Sequence, residues 1–309
     1  MRYARSTVLG AALGVIAATA LAVAPVQAAP AAAESTASVA DRLVLEPTER
    51  GYRGSLEAEV TYQGSEPGRA RYVITEPVPH SYVNLEWGIS CYSGGTALPD
   101  GRIRVECDVP GGELQPGERR AFTIDFEVLT KVQPYAMKAV NGRLAVKVDG
   151  TTVTNESFRT RFRSSTGSLR DPQPYVRDTE SDATLTSVGD LTLVRQPDGD
   201  FVGRLPVRVR YNGDAPHWNL NFVTSGLPEG VYESYTDPAD GCAHFCVPGG
   251  QFMEDEERDF DVIFLAPAGT PLGDLGEAGL EVQVDWGNRA DANPADNAGS
   301  FSVTAVDAA

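Results

Sequence analysis

The sequence predicts an all-β protein: two tandem antiparallel β-sandwiches behind an N-terminal export signal. Three observations predict it. The chain repeats itself once, its apolar residues alternate with period two, and its first residues have the pattern of a signal peptide.

The repeat sets the organisation. Residues 38–64 and 187–213 align without a gap at an offset of 149. Ser38, Val39, Asp41, Gly54, Leu56, Val60, Tyr62 and Gly64 recur as Ser187, Val188, Asp190, Gly203, Leu205, Val209, Tyr211 and Gly213. Cys107-Asp108-Val109-Pro110-Gly111-Gly112 is echoed by Cys246-Val247-Pro248-Gly249-Gly250, and Phe122 and Phe126 by Phe260 and Phe264. A repeat of this length is the size of a domain, far longer than a solenoid unit.

Taken in order, residues 1–28 carry Arg2 and Arg5, an apolar run over 8–24, and the small-residue end Val26-Gln27-Ala28. That is the pattern of a secretory signal peptide. Residues 29–37 are Ala- and Pro-rich and read as a disordered lead-in. The first sandwich is placed at 38–163. Leu56-Glu57-Ala58-Glu59-Val60-Thr61-Tyr62, Phe122-Thr123-Ile124-Asp125-Phe126 and Leu144-Ala145-Val146-Lys147-Val148 alternate cleanly, the last ending at Asp149-Gly150, a hairpin turn signal. Turn formers and charge without apolar periodicity mark 164–186 as a linker. The second sandwich, 187–309, repeats the alternation over 205–211, 260–265, 280–286 and 301–306. With 31 Gly and 21 Pro punctuating the chain, the pattern is that of short strands rather than helices.

Charge excludes some partners. The signal holds two arginines and no acid, so without it the net charge falls from −17 to −19. Such a chain repels nucleic acid and anionic membrane surfaces. No hydrophobic or basic tail anchors it, and the charge favours a soluble monomer. Four cysteines in an exported chain indicate disulfides, and the repeat selects among the three connectivities: Cys91 with Cys107 and Cys242 with Cys246. Zinc held by Cys242, His244 and Cys246 is the alternative, but no fourth ligand stands nearby.

The run from Cys107 to Glu118, with Leu114-Gln115-Pro116-Gly117 at its centre, resembles immunoglobulin-like repeat domains of bacterial secreted and cell-surface proteins. Those repeats often close with an Asp-x-Asn-Pro-x-Asn-Asn turn, here Asp291-Ala292-Asn293-Pro294-Ala295-Asp296-Asn297. Each copy departs from the pattern. The first keeps only Thr154-Asn155-Glu156, and the second has Phe252-Met253-Glu254-Asp255 in place of Leu-x-Pro-Gly. The resemblance implies an immunoglobulin-like fold and an extracellular location, and no activity.

Three site hypotheses follow. Asp291, Asn293, Asp296 and Asn297 place four oxygen-bearing side chains in one turn, which suits calcium; an Asx-turn bonding its own backbone is the plainer reading. Glu254-Asp255-Glu256-Glu257 reads as solvated surface. Trp87, Trp218 and Trp286, with Tyr92, Tyr232 and Tyr235, are candidates for stacking on a glycan. All three tryptophans alternate with apolar neighbours, which favours the core. His80, His217 and His244 fall in no hydrolase motif, so no catalytic residue is assigned. The expected function is a secreted, non-catalytic interaction or structural protein that binds an extracellular protein or cell-wall component by loops or a sheet edge, without a cofactor. A calcium- or glycan-binding module is the alternative, and a secreted hydrolase ranks third.

Overall fold

The computed structural model describes residues 34–83, 91, 95–239, 245–284 and 291–308. The signal, most of the lead-in, Trp87, Tyr92, Cys242, His244 and Trp286 lie outside them. The fold class is all-β as predicted. Among the described residues the only helix is a single 3-10 turn at Pro294–Asp296, and none is long and apolar enough to cross a membrane.

The first sandwich holds twelve strands: β1 (Thr36–Val39), β2 (Arg42–Thr48), β3 (Gly51–Thr61), β4 (Ala70–Thr75), β5 (Tyr82–Val83), β6 (Thr96–Ala97), β7 (Ile103–Asp108), β8 (Arg119–Val128), β9 (Met137–Lys138), β10 (Gly142–Val148), β11 (Thr151–Phe162) and β12 (Gln173–Pro174). The order is β5-β8-β3-β2-β11-β10-β4-β7-β6. The second holds β13 (Ala183–Val188), β14 (Leu191–Arg195), β15 (Phe201–Tyr211), β16 (Leu220–Ser225), β17 (Tyr232–Asp237), β18 (Glu257–Ala266), β19 (Gly273–Val284) and β20 (Ala298–Val306), in the order β16-β19-β20-β14-β15-β18-β17. Each encloses its own core. Leu56, Val60, Tyr72, Phe122, Phe126 and Phe158 are buried in the first, and Leu205, Val209, Phe222, Phe260, Phe264 and Phe301 in the second.

Local alternation produces this burial. Leu56, Ala58 and Val60 of β3 face the core while Glu57 and Glu59 face water, as period two requires. The longest antiparallel ladders, β3–β8 and β15–β18, are equivalent. Besides a short parallel pair between β9 and β12, one pairing common to both sandwiches departs from the antiparallel expectation: β2 runs parallel to β11, and β14 to β20. This seam joins strands more than a hundred residues apart, and alternation within a strand carries no information about such a partner.

Two repeated residues acquire reasons. Gly54 and Gly203 lie where the neighbouring strand passes closest: a Cβ would sit 2.1 Å from Val44 O at the first and 2.9 Å from Thr192 O at the second. Tyr62 directly follows β3 and Tyr211 ends β15, and each hydroxyl donates to the carbonyl four residues on. Tyr62 reaches Glu66 O at 2.6 Å and Tyr211 reaches Ala215 O at 2.9 Å. The stretch read as a linker is bonded into the fold. Its β12 pairs in parallel with β9, and β13 begins at Ala183 and pairs with β15.

Candidate functional site

The site lies where the two sandwiches meet; on the second sandwich it begins with a Val-Pro-Gly-Gly turn, whose counterpart in the first sandwich is built the same way. Arg120, at the start of β8, sends its guanidinium to Pro110 O at 3.1 Å, Gly112 O at 2.8 Å and Glu113 O at 3.1 Å, and pairs with Glu118. Arg258, in β18, does the same with Pro248 O at 2.7 Å, Gly250 O and Gln251 O at 2.8 Å, and pairs with Glu256. A planar fork with five donors suits several carbonyls at once. The second turn has lost the Leu-x-Pro-Gly sequence but keeps its shape. Leu114 and Phe252 are both fully buried, and Asp255 (φ 62°) stands in the left-handed conformation that Gly117 (φ 77°) takes in the first copy.

The acidic run is solvated only in part: Asp255 and Glu257 are exposed, as expected of surface charge, but each of the four carboxylates also has a partner. Glu254 Oε2 accepts from Thr130 Oγ1 at 2.7 Å and from Lys131 N at 2.8 Å, both in the first sandwich. Asp255 pairs with Lys131 at 3.3 Å and with Arg210 at 2.8 Å. Glu256 pairs with Arg258 and, across the junction, with Arg50 at 3.2 Å. Glu257 lies 3.6 Å from Arg208. The hydrogen bond from Arg210 holds the Asp255 carboxyl below its usual range. Burial pushes Glu256 up, but the bonds from Arg258 and Met253 N and the charges of Arg258 and Arg50 outweigh it and hold it low.

The intervening chain straps the same junction. The Tyr175 ring packs 4.7 Å from Phe162, and its hydroxyl donates to Asp214 Oδ2 at 2.5 Å. Arg177 is buried and donates to Asp214 O at 2.5 Å in the second sandwich and to Pro79 O at 2.8 Å in the first. Asp178 N donates to Asp214 Oδ1 at 2.8 Å. A segment that is polar by composition is here a row of donors and acceptors facing both sandwiches.

A cleft of about 500 Å³ opens beside this strap, lined from the first sandwich by His80, Tyr82, Cys91, Ile103 and Glu127, and from the second by Pro216, His217, Trp218 and Gln251, with Arg177 between. Its first wall is rigid. Cys91 and Cys107 form the predicted disulfide, and the Tyr82 hydroxyl lies 3.1 Å from Cys107 Sγ and 3.0 Å from the Tyr72 hydroxyl. Behind it the Glu76 carboxylate is fully buried and accepts from His80 N at 2.6 Å, Ser81 N at 2.9 Å, Tyr82 N at 3.2 Å and Ile103 N at 2.7 Å. Burial pushes its carboxyl up, against the pull of those four N–H groups.

On the second wall His217 is buried against Tyr211, with ring centroids 4.2 Å apart. Its Nε2 accepts from Phe252 N at 2.7 Å, which places the ring proton on Nδ1, 3.2 Å from Ala215 O. Both nitrogens thus serve the backbone. Trp218, read as core, is 69% exposed. The physical reason is that β16 starts at Leu220, so the alternation with Leu220 and Phe222 does not reach back to residue 218. Tyr232 and Tyr235 are also exposed, and a bulge between Glu233 and Tyr235 leaves both on the outer face of β17.

Cys246 is disulfide-bonded, while its expected partner Cys242 and the zinc alternative fall outside the described residues. Cys246 bridges Asn221 as Cys107 pairs with Tyr72, so the two cysteines occupy equivalent places. In the last turn, Asp291 accepts from Ala183 N at 2.8 Å and Asn293 N at 2.9 Å, and Asn293 Nδ2 donates to Asp296 Oδ2 at 2.7 Å. Asp291 and Asn293 are thus engaged in shaping the turn. Asn297 is buried, and neither its Oδ1 nor Asp296 Oδ1 has a hydrogen-bond partner. Among the described residues no three His, Cys, Asp or Glu side chains are arranged as a metal-holding group.

Neither a protein-family model nor a curated protein matches the chain. Among solved structures it is similar to a protein of unknown function from Porphyromonas gingivalis W83, at 12% identity and a TM-score of 0.22, over 88% of this chain and 99% of that one. It is also similar to a cohesin module from Clostridium perfringens ATCC13124 family 33 glycoside hydrolase, at 10% identity and a TM-score of 0.22, over 42% of this chain and 97% of that one. Likenesses this low assign the chain to no family.

Proposed function

We propose that the mature protein is an exported, non-catalytic binding protein built from two immunoglobulin-like modules, and that it holds an extracellular partner at their junction. The signal-like N-terminus and the Cys91–Cys107 disulfide support export. The observation that carries the reading is the cleft of about 500 Å³ lined by both sandwiches, with Trp218 exposed on its wall. Its volume is in the range of small-molecule and peptide sites, and an aromatic wall with a few converging polar groups is how such sites are lined.

A glycan is the second reading. Tyr82 and Trp218 supply ring faces, and Glu127, Arg177 and Gln251 supply groups that bond hydroxyls. Immobilised mature protein offered cell-wall polysaccharides and, separately, purified surface proteins tests both readings. The ligand retained is expected to lose roughly thirtyfold in affinity on Trp218→Ala, the scale of an aromatic hot spot. A ligand held equally well by that variant contradicts the junction site, and retention of surface protein but no polysaccharide removes the glycan reading.

A further inference from the structure

The orphaned oxygens at the far turn of the second sandwich point to a ligand the fold does not itself supply. Three buried side-chain oxygens there lack any hydrogen-bond partner: Asp182 Oδ1, Asp296 Oδ1 and Asn297 Oδ1. Asn297 is only 4% exposed, so its carbonyl oxygen has no route to bulk solvent. Leaving a buried acceptor unsatisfied is costly, and three at one corner are uncommon in a native fold.

The backbone brings them to that corner. Ser181 bridges Asp291, Ala292 N donates to Ser181 O at 2.7 Å, and Ala183 N donates to Asp291 Oδ2, so Asp182 is held beside the turn from both sides. Burial, and after it the negative charges of Asp291 and Asp296, push the Asp182 carboxyl up, against a hydrogen bond from the Asn212 side chain. Every unsatisfied atom is an acceptor and the local charge is negative, which is the chemistry of a hard cation site.

We propose that Asp182, Asp296 and Asn297 bind a calcium ion, with Asp291 and Asn293 shaping the turn rather than ligating. Two carboxylates and an amide are fewer than the six to eight oxygens calcium takes, so backbone carbonyls and water complete the shell. Ligands from the start of β13 and from the turn before β20 make the ion a clasp between the first and last parts of the second sandwich.

Calorimetric titration of the EDTA-treated mature protein with calcium chloride tests this. One ion per chain is expected, with a dissociation constant of roughly 0.1–1 mM, the range of extracellular modules, and a melting temperature about 3 °C higher in 10 mM calcium. Asp182→Asn and Asp296→Asn, near-isosteric changes, are each expected to weaken binding at least tenfold. They should raise the calcium-free melting temperature by relieving unpaired buried charge, which also shows that the variants fold. The absence of calcium-dependent heat and melting shift in the wild type, as expected if water fills the corner, overturns the proposal. Unchanged calcium binding in both variants overturns it equally.

Discussion

Glu254 of the second sandwich and Thr130 of the first are joined by a 2.7 Å hydrogen bond across 124 residues of chain, and the same carboxylate oxygen accepts from Lys131 N. The chain spends its one concentrated acidic run on this contact. Each carboxylate there has a donor or cation facing it, so the run binds the sandwiches where free charge would only solvate them.

Removing the contact should uncouple the halves. Glu254→Ala leaves the Thr130 hydroxyl and the Lys131 N–H without their acceptor, at a cost of about 1–2 kcal/mol. Scanning calorimetry is expected to show one transition for the wild type. Glu254→Ala combined with Asp255→Ala should melt about 4 °C lower and broaden or split, as a multi-domain chain does once its interface fails.

Acid should weaken the junction. Asp255 and Glu256 are both held below their usual range in the fold. A carboxyl depressed in the folded state contributes stability above its unfolded value, and that contribution is lost as pH falls through the folded value. Urea midpoints measured between about pH 6 and pH 2 should fall, and Asp255→Asn should flatten that dependence.

Glu76 has the opposite sign. Its carboxyl is raised in the fold, so its contribution is present below the usual carboxylate range and lost as pH rises through the raised value. Glu76→Gln keeps an acceptor and removes the buried charge, and should cost less than Glu76→Ala. The alanine variant strands the N–H groups of His80, Tyr82 and Ile103 beneath the cleft, while Ser81 N keeps Val78 O, and should lose about 3–5 kcal/mol by urea unfolding.

The arginine clamps should be intolerant of lysine. Arg120 and Arg258 each bond three carbonyls and a carboxylate while mostly buried. Alanine at either position should cost about 2–4 kcal/mol. Lysine should recover less than half of that, because an ammonium lacks the planar fork. Equal stability of Arg258→Lys and wild type would remove the clamp from the account.

The parts of the fold that were readable share one property, which is that neighbours along the chain reveal them. Alternation placed β3, β8, β10 and their counterparts, and the repeat placed Cys91 opposite Cys107. What was not readable depends on partners distant in sequence. Nothing near Glu254 indicates Thr130, and nothing near β2 announces a parallel bond to β11. Trp218 was misplaced because alternation gives a face only once the strand is known to have begun. Asp182 lay outside the calcium motif because its proximity to Asp296 comes from the Ser181–Asp291 bridge. Arg120 and Arg258 were available, each following Pro-Gly-Gly by the same spacing, but their role shows only when the turn is folded.

If the sandwiches dock in one arrangement and so keep the cleft open between them, single-molecule energy transfer will show it, with dyes on Glu156→Cys and Asp198→Cys, both exposed and one in each sandwich. One narrow transfer population is expected for the otherwise wild-type protein, broadening when Glu254→Lys and Asp255→Lys are added. A broad population before those changes, or no response to them, would contradict a single docked arrangement.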